Sequence, residues 1–385
     1  MPNVFDYLEW RGDLSFKTSP FNAVDNIIFS IMSYFVMDGV VPETFDPQQI
    51  GLPTAIKKML QQIKKHPAVR RNYLFGDDQI NLLYALEKAE RYHDIYLSSY
   101  VNKFDVKKQM QFSALTFTAT DCPPYIAYRG TDTTIVGWKE DFNMICDKAV
   151  PAQLEAVDYL EKKAQALKGD FNIGGHSKGG NLAVYAAAFC NKKLQNRINA
   201  IYNNDAPGFF KETTERKEYK QIEPKICTYI PQDSVVGLLF EHQKNYSVVK
   251  STETGIMQHN PFSWQVTKNN LAIQKSVTEN SLFLNETLMK WLDSMDKDTR
   301  RHFINTLFDV LNKTNVNSIP DFTDNWLKNT AVLIKSMSEL DKETKIMLNK
   351  TFSMLFDIAI ENFKSAVANK ITSEGKNFTA RIRKV

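Results

Sequence analysis

Gly175-His176-Ser177-Lys178-Gly179 is a Gly-x-Ser-x-Gly string. It stands between a short apolar run, Phe171-Asn-Ile-Gly174, and an alanine-rich one that continues past Tyr185. That order predicts a buried strand, a sharp bend and a helix. A serine at such a bend is held in a strained backbone with its hydroxyl exposed, and glycines flank it because side chains there would clash with the adjoining strand and helix. The bend also sets Ser177 at the positive end of the helix, where an anionic intermediate is favoured. The implied chemistry is nucleophilic attack by Ser177, with Gly175 and Gly179 as the glycines of the elbow. The competing reading is a structural or phosphate-binding turn serine; the strand, turn and helix in sequence favour the nucleophile.

A serine hydroxyl attacks poorly until a base takes its proton. In a strand–elbow–helix setting the partners follow as acid, then histidine. His242, His259 and His302 lie C-terminal to Ser177. His302 falls in helical sequence and is expected to face solvent. His242 follows Phe240-Glu241 in a short helix or loop. His259 is preferred, because Gly255-Ile-Met-Gln-His-Asn-Pro261 reads as a loop between two strand-like runs that can carry an imidazole to the elbow. The acid must follow a sheet strand. Asp233, after Thr228-Tyr-Ile-Pro-Gln232, suits the usual order and is preferred. Asp205 stays the second candidate, since Asp205-Ala-Pro-Gly208 also reads as a turn. An oxyanion hole takes one N–H from the residue after the nucleophile, here Lys178, and one from a loop after an earlier strand. Thr131, in Arg129-Gly130-Thr131, fits with both its N–H and its hydroxyl. Each such donor is worth on the order of 3 kcal/mol of barrier. His176, beside the nucleophile, is expected to pack or hydrogen-bond rather than act as base.

The elements that must position these residues alternate. Ser19-Pro-Phe-Asn22 opens a helix through about Phe35, with Val24, Ile27, Ile28 and Ile31 at helical spacing. Residues 41–110 carry prolines and helical stripes. Strands are expected at 112–119, 125–128, 171–174, 198–202, 226–230, 246–249 and 263–266, and helices at 151–167 and 178–190. Strands alternating with helices mean an α/β sandwich with a largely parallel sheet. From about 276 onward only helical stripes remain: Leu284, Leu288, Trp291, Leu292 and Met295; then Phe303, Leu307 and Val310; then Leu348, Phe352, Leu355, Ala359 and Phe363. The expected division is 1–275, a hydrolase-type domain with N-terminal helices, and 276–385, an all-helical appendage with a basic tail, Arg381-Ile-Arg-Lys-Val385. Met295-Asp-Lys-Asp-Thr299 echoes Leu340-Asp-Lys-Glu-Thr344, and both read as aspartate-capped helix starts.

With 385 residues, 43% hydrophobic and 24% charged, the chain can bury a sizeable core. A dispersed net charge of +4 gives no reason to expect nucleic acid as a partner. Cys122, Cys146, Cys190 and Cys227 form no CxxC pair and read as free thiols of a reducing compartment. The start, Met-Pro-Asn-Val-Phe-Asp-Tyr, has no basic region before an apolar core, and Ile27–Met32 is far too short to span a bilayer. A cytoplasmic protein is the expectation.

Tyr128-Arg-Gly-Thr131, then Gly137-Trp138 with Asp141, then Gly175-His-Ser-Lys-Gly-Gly180 resemble the class 3 (fungal triacylglycerol-type) lipases. Those show an apolar-Arg-Gly-Thr/Ser motif, a Trp then Asp pair, and Gly-His-Ser-Leu-Gly-Gly. The resemblance covers roughly 110–267. Asp6-Tyr-Leu-Glu-Trp-Arg-Gly-Asp13 and Asn204-Asp-Ala-Pro-Gly-Phe209 look like an uncharacterised bacterial family of lipase-like α/β-hydrolases. The resemblance implies an α/β-hydrolase fold, a Ser177, Asp233, His259 triad, Thr131 and Lys178 as oxyanion donors, and Asp141 bracing the oxyanion loop. It implies cleavage of small-molecule or lipid carboxylic esters through an acyl-enzyme, with no cofactor and no metal. Peripheral membrane contact and a protein partner on the C-terminal helices stay open. Lys178 departs from the pattern, where leucine is usual; its ammonium is expected near the site, favouring an anionic substrate. No long apolar lid is evident between Thr131 and Pro151, so segment 210–224 or the appendage is the candidate cover. Two other readings keep the same fold: an inactive binding platform, and an acyl transferase or thioesterase using the same triad.

Overall fold

The computed structural model describes residues 1–43, 48–67, 70, 73–240, 245–314, 316, 318, 326–351, 353 and 354. His242, Phe352, Leu355, Ala359, Phe363 and the tail 381–385 lie outside them.

In chain order the first elements are α1 (Val4–Arg11), α2 (Ala23–Met32), β1 (Ile50–Gly51), α3 (Leu52–Lys65) and α4 (Asp77–Lys88). Then come β2 (Tyr96–Asp105), β3 (Met110–Ala119), β4 (Cys122–Tyr128), α5 (Ile135–Asn143) and α6 (Pro151–Ala164). The elbow joins β5 (Phe171–His176) to α7 (Lys178–Phe189), followed by α8 (Lys192–Arg197), β6 (Ile198–Asn204), α9 (Lys211–Thr214), α10 (Lys217–Ile222), β7 (Ile226–Pro231) and β8 (Tyr246–Val249). After the small strands β9 (Val266–Thr267), β10 (Asn270–Leu271) and β11 (Ile273–Gln274), α11 (Glu279–Asp293) and α12 (Lys297–Asn312) begin the helical region.

The main sheet runs β1-β2-β3-β4-β5-β6-β7-β8-β11. Strands β4 to β8 are parallel. The flanks are antiparallel: β1 to β4 on one side and β11 on the other. β9 and β10 form a separate hairpin. The expected parallel sheet is therefore the centre, and it is the part that carries the elbow.

Alternation along β4 shows how both faces are buried. Tyr125 and Ala127 face a core built on α1 to α4, whereas Ile126 and Tyr128 face one built on α6 and α7. A strand covered on both sides must be apolar throughout. Phe29 of α2 stacks on Phe117 of β3 with ring centroids 4.2 Å apart. Residues 210–224 do not float as a cover: Tyr219 and Ile222 are buried in the α6–α7 core.

Helix α2 starts as its sequence asks. Asn22 Oδ1 accepts from the Val24 and Asp25 amides, and Asp25 Oδ2 accepts from the Asn22 amide. Asp25 also takes the Arg91 guanidinium through two bonds, at 2.6 and 2.9 Å, and accepts from the Tyr7 and Tyr92 hydroxyls. Both side chains of the pair are fully buried. Removing one member leaves the other charge uncompensated, so Asp25→Asn is expected to lose about 3–5 kcal/mol in urea unfolding. A loss below about 1 kcal/mol would show that Arg91 is solvated instead.

Three local readings of the sequence need correcting. Residues 96–105, placed among helical patterns, form β2. A bulge between Ser98 and Val101, with Ser99 at φ 56°, breaks the period-2 alternation that would have marked the strand. Ser263-Trp-Gln-Val266 is not a strand of the main sheet: Pro261–Ser263 is a helical turn whose start is capped by Asn260, Trp264 makes an isolated antiparallel bridge to Ser251, and Val266 and Thr267 pair with β10. Helix α5 has no clear signal in the sequence, since it contains Gly137 and has no long apolar stripe; Thr134 Oγ1 caps it by accepting from the Gly137 amide.

The helical region packs on α5. Ile135 and Cys146 share a core with Trp291, Leu292, Phe303, Ile304 and Phe308. Asp296 and Asp341 each accept from the amide three residues on, at 2.7 and 2.8 Å, as the repeated motif predicts. All four cysteines are free thiols. Among the described residues no helix is long and apolar enough to cross a membrane.

Candidate active site

Strand β5 is wholly buried, and Ser177 follows it at φ 57°, ψ −136°. This backbone is one that side-chain-bearing residues adopt only under strain. The Ser177 amide is fixed to the Asn204 carbonyl at 2.9 Å. A Cβ on Gly175 would lie 2.4 Å from the Gly179 carbonyl carbon, and one on Gly179 would lie 2.1 Å from the Tyr128 carbonyl oxygen. The two glycines let the end of β4 lie directly against the start of α7. That contact brings the loop after Tyr128 beside Ser177. Neither neighbour is a movable side-chain tip, so Gly179→Ala is expected to cost about 3 kcal/mol or more. Thermal melting checks this; an unchanged melting temperature would contradict the packing.

The histidine and the carboxylate nearest the elbow come from the next turns along the sheet. His176 of β5 pairs in register with Asn204 of β6, so Ser177 and Asp205 leave adjacent strands side by side. Asp205 is fully buried at φ 48°. Its Oδ2 lies 2.6 Å from His259 Nδ1, while Oδ1 accepts from the Ser234 hydroxyl at 2.5 Å and the Gly237 amide at 3.1 Å. His259 ends the helical turn Gly255–His259, and its side chain is 22% exposed. With Nδ1 on the carboxylate, Nε2 is the ring nitrogen left to take a proton.

The carboxylate that meets His259 is thus Asp205 and not Asp233. Asp233 does another task one strand further out. Its Oδ2 accepts from the Gly255 amide and the Gln258 side-chain amide, its own N–H donates to Gln258 Oε1, and its Oδ1 accepts from Thr278. It ties down the turn that carries His259. The physical reason is adjacency: β6 is the direct neighbour of β5, and β7 is not. Of the other histidines, His302 is exposed on α12.

His176, inside the elbow, was expected to pack or hydrogen-bond, and the structure gives it both roles. Its ring lies 4.5 Å from that of His259, centroid to centroid. Nε2 lies 2.7 Å from the His259 carbonyl oxygen, which can only accept, so Nε2 carries the proton and Nδ1 accepts from the Tyr34 hydroxyl at 2.9 Å. Burial first, then the nearby His259, hold its pKa well below the usual 6.5. The unfolded chain therefore binds a proton at His176 that the folded chain refuses, and stability falls as pH drops below about 6.5. His176→Gln is expected to flatten the loss of melting temperature between about pH 7.5 and 5. An identical slope in wild type and variant would contradict this.

The residues expected at the oxyanion hole lie beside one another, with two differences. Thr131 is buried, and its hydroxyl donates to Asp141 Oδ2 at 2.5 Å, so the hydroxyl is already engaged within the protein. Burial first raises the Asp141 carboxyl to about 6, against the pull of Lys178 and the Thr131 bond. The folded state thus holds that proton longer than the unfolded one, and stability falls as pH rises from about 3.8 to 6. This opposes the effect of His176, so the comparison of variant with wild type isolates the histidine. The Lys178 ammonium does not line the site. It is 1% exposed and bonds the Gln111 carbonyl, Gln111 Oε1 and Glu140 Oε2 at 3.0, 2.9 and 2.9 Å. The expected preference for an anionic substrate loses its basis, because the charge is neutralised internally.

A cavity of about 260 Å³ between β2 and α6, lined by Asp38, Tyr100, Asn102 and Lys103, contains none of Ser177, Asp205 or His259. The candidate site is set by the elbow. Among the described residues no group of three or more His, Cys, Asp or Glu is placed to hold a metal ion.

Similar structures are fungal lipases. A Rhizomucor miehei lipase–propeptide complex is 14% identical with TM-score 0.32, covering 57% of this chain and 76% of that one. A fungal lipase–inhibitor complex is 13% identical with TM-score 0.34, covering 60% of this chain and 95% of that one. At these TM-scores the likeness decides neither fold nor function. A search of curated proteins finds no match. The Mbeg1-like family model matches residues 86–309, more than half of the chain and every residue of the elbow, the Asp205–His259 pair and the oxyanion loop. The chain belongs to the Mbeg1-like family, a lipase-like family.

Proposed function

We propose that the protein is a serine carboxylic-ester hydrolase of α/β-hydrolase type, acting on small-molecule or lipid esters. The observation that carries this reading is the buried Asp205 bonded to His259 beside a strained serine elbow. Ser177 Oγ attacks the ester carbonyl as His259 Nε2 takes its proton. The oxyanion is received by the N–H groups of Thr131 and Lys178 at the positive end of α7. His259 returns the proton to the departing alcohol, leaving an acyl group on Ser177. Water then attacks the acyl carbonyl as His259 takes its proton, the same donors hold the second oxyanion, and His259 returns the proton to Ser177 Oγ as the acyl–oxygen bond breaks and the acid leaves. Asp205 holds the imidazole tautomer and stabilises the imidazolium. We place the catalytic unit in residues 1–275 and take 276–385 as a helical appendage; a cytoplasmic location completes the reading.

A panel of p-nitrophenyl esters from acetate to laurate tests it, with wild type and Ser177→Ala run side by side. Turnover by wild type that disappears in the variant is expected. Equal rates in both would overturn the assignment.

A further inference from the structure

The buried Lys178–Glu140 ion pair has no part in the mechanism just described, yet it reaches both sides of the oxyanion hole. Lys178 is the first residue of α7, so its own N–H belongs to the hole while its side chain runs inward. All three ammonium hydrogens find acceptors, in Gln111 and Glu140. Glu140 is a hub: Oε2 also accepts from the Gln111 amide at 3.0 Å, and Oε1 accepts from the Ala152 amide at 2.9 Å. One carboxylate therefore joins β3, α5, α6 and α7. The next residue, Asp141, holds Thr131, so adjacent carboxylates on α5 address both donors. Helix α5 is itself seated by α12: Phe142 meets Phe308 at 5.6 Å, and Arg301 pairs with Asp147 at 2.5 Å just beyond the helix.

A buried ion pair is on average no more stabilising than apolar packing of the same volume. What it adds here is direction, since hydrogen bonds fix the Lys178 Nζ position and with it the first peptide of α7. We propose that Glu140 is a positioning residue for the oxyanion hole. It acts through the Lys178 side chain, with α5 as the clamp and α12 as its backing. The inference rests on the serine-hydrolase reading above.

The test is the charge-free double variant Lys178→Met with Glu140→Gln, alongside Glu140→Gln alone. A purely structural pair predicts that the double variant, which removes both members of the pair together and leaves only the more distant Asp141, 3.9 Å from the Lys178 ammonium, without that neighbour, regains both melting temperature and activity. The positioning role predicts a melting temperature near wild type but kcat on a p-nitrophenyl ester lower by about 30-fold. That is a fraction of the 10²–10³ lost when a donor is removed outright. KM is expected to stay within about twofold and the acidic limb of the pH–rate profile to stay in place, since binding and His259 are untouched. Wild-type kcat in the double variant would overturn the proposal. Should that variant not fold, Gln111→Met removes one ammonium acceptor and keeps both charges; a fall in kcat of about threefold supports the proposal and no change overturns it. A fluorophosphonate probe separates the two levels. Unlabelled wild type ends the hydrolase reading and this inference with it. A labelled wild type with a fully active double variant ends the inference alone.

Discussion

Asp205→Asn is expected to lower kcat by about 10⁴, whereas Asp233→Asn lowers it far less. An asparagine at 205 keeps the shape but can present its N–H₂ to His259, which turns the imidazole to the wrong tautomer and leaves the imidazolium without a counter-charge. The effect is large because Asp205 is fully buried, with Oδ1 already held by Ser234 and Gly237, so no water replaces the lost charge. Asp233 touches the base only through the turn it anchors, by way of Gly255 and Gln258. Its loss loosens where His259 sits and leaves the ring chemistry alone. Steady-state kinetics on one ester, with circular dichroism to show that both variants fold, decides the matter. A deeper loss at 233 than at 205 would reverse the assignment.

Ser177→Ala is expected to remove about 10⁶ of kcat, the loss seen when a triad nucleophile is deleted and only binding and the oxyanion donors remain. Ser177→Gly should be as inactive, and it carries a second signature. At φ 57° the serine pays for its position with backbone strain that glycine does not feel. The glycine variant is therefore expected to be more stable than wild type by about 1 kcal/mol in urea unfolding. Stability gained where activity vanishes is the mark of strain held for chemistry. A destabilised glycine variant would show that the bend is relaxed and the serine ordinary.

The elbow was legible because its signals are local: a buried strand, two glycines that sterics require, and an alanine-rich helix follow one another in the chain. The aspartates at 296 and 341 are legible for the same reason, and so is a cap at Ser19 or Asn22, of which the structure uses Asn22. His259 was singled out by its loop. Asp205 stands second on sequence alone because the choice turns on which strand lies beside β5, and spatial order is not written in one segment. Its Ala-Pro-Gly sequel also made it look like a plain turn residue. The fate of the Lys178 ammonium lay beyond reach for a similar reason. Its partner Glu140 sits 38 residues earlier, on a helix whose pattern is too weak to find. Strand β2 was lost to its own bulge. Local chemistry is readable from the chain, and contacts that cross the sheet need the fold.

The central claim is that Ser177 is an activated nucleophile. Intact-mass and peptide mass spectrometry after treatment with a fluorophosphonate tests it most directly. One adduct per chain is expected, carried by the peptide containing Ser177. It should be absent in Ser177→Ala and formed far more slowly in Asp205→Asn. An unmodified wild-type chain, or an adduct on any other residue, would contradict it.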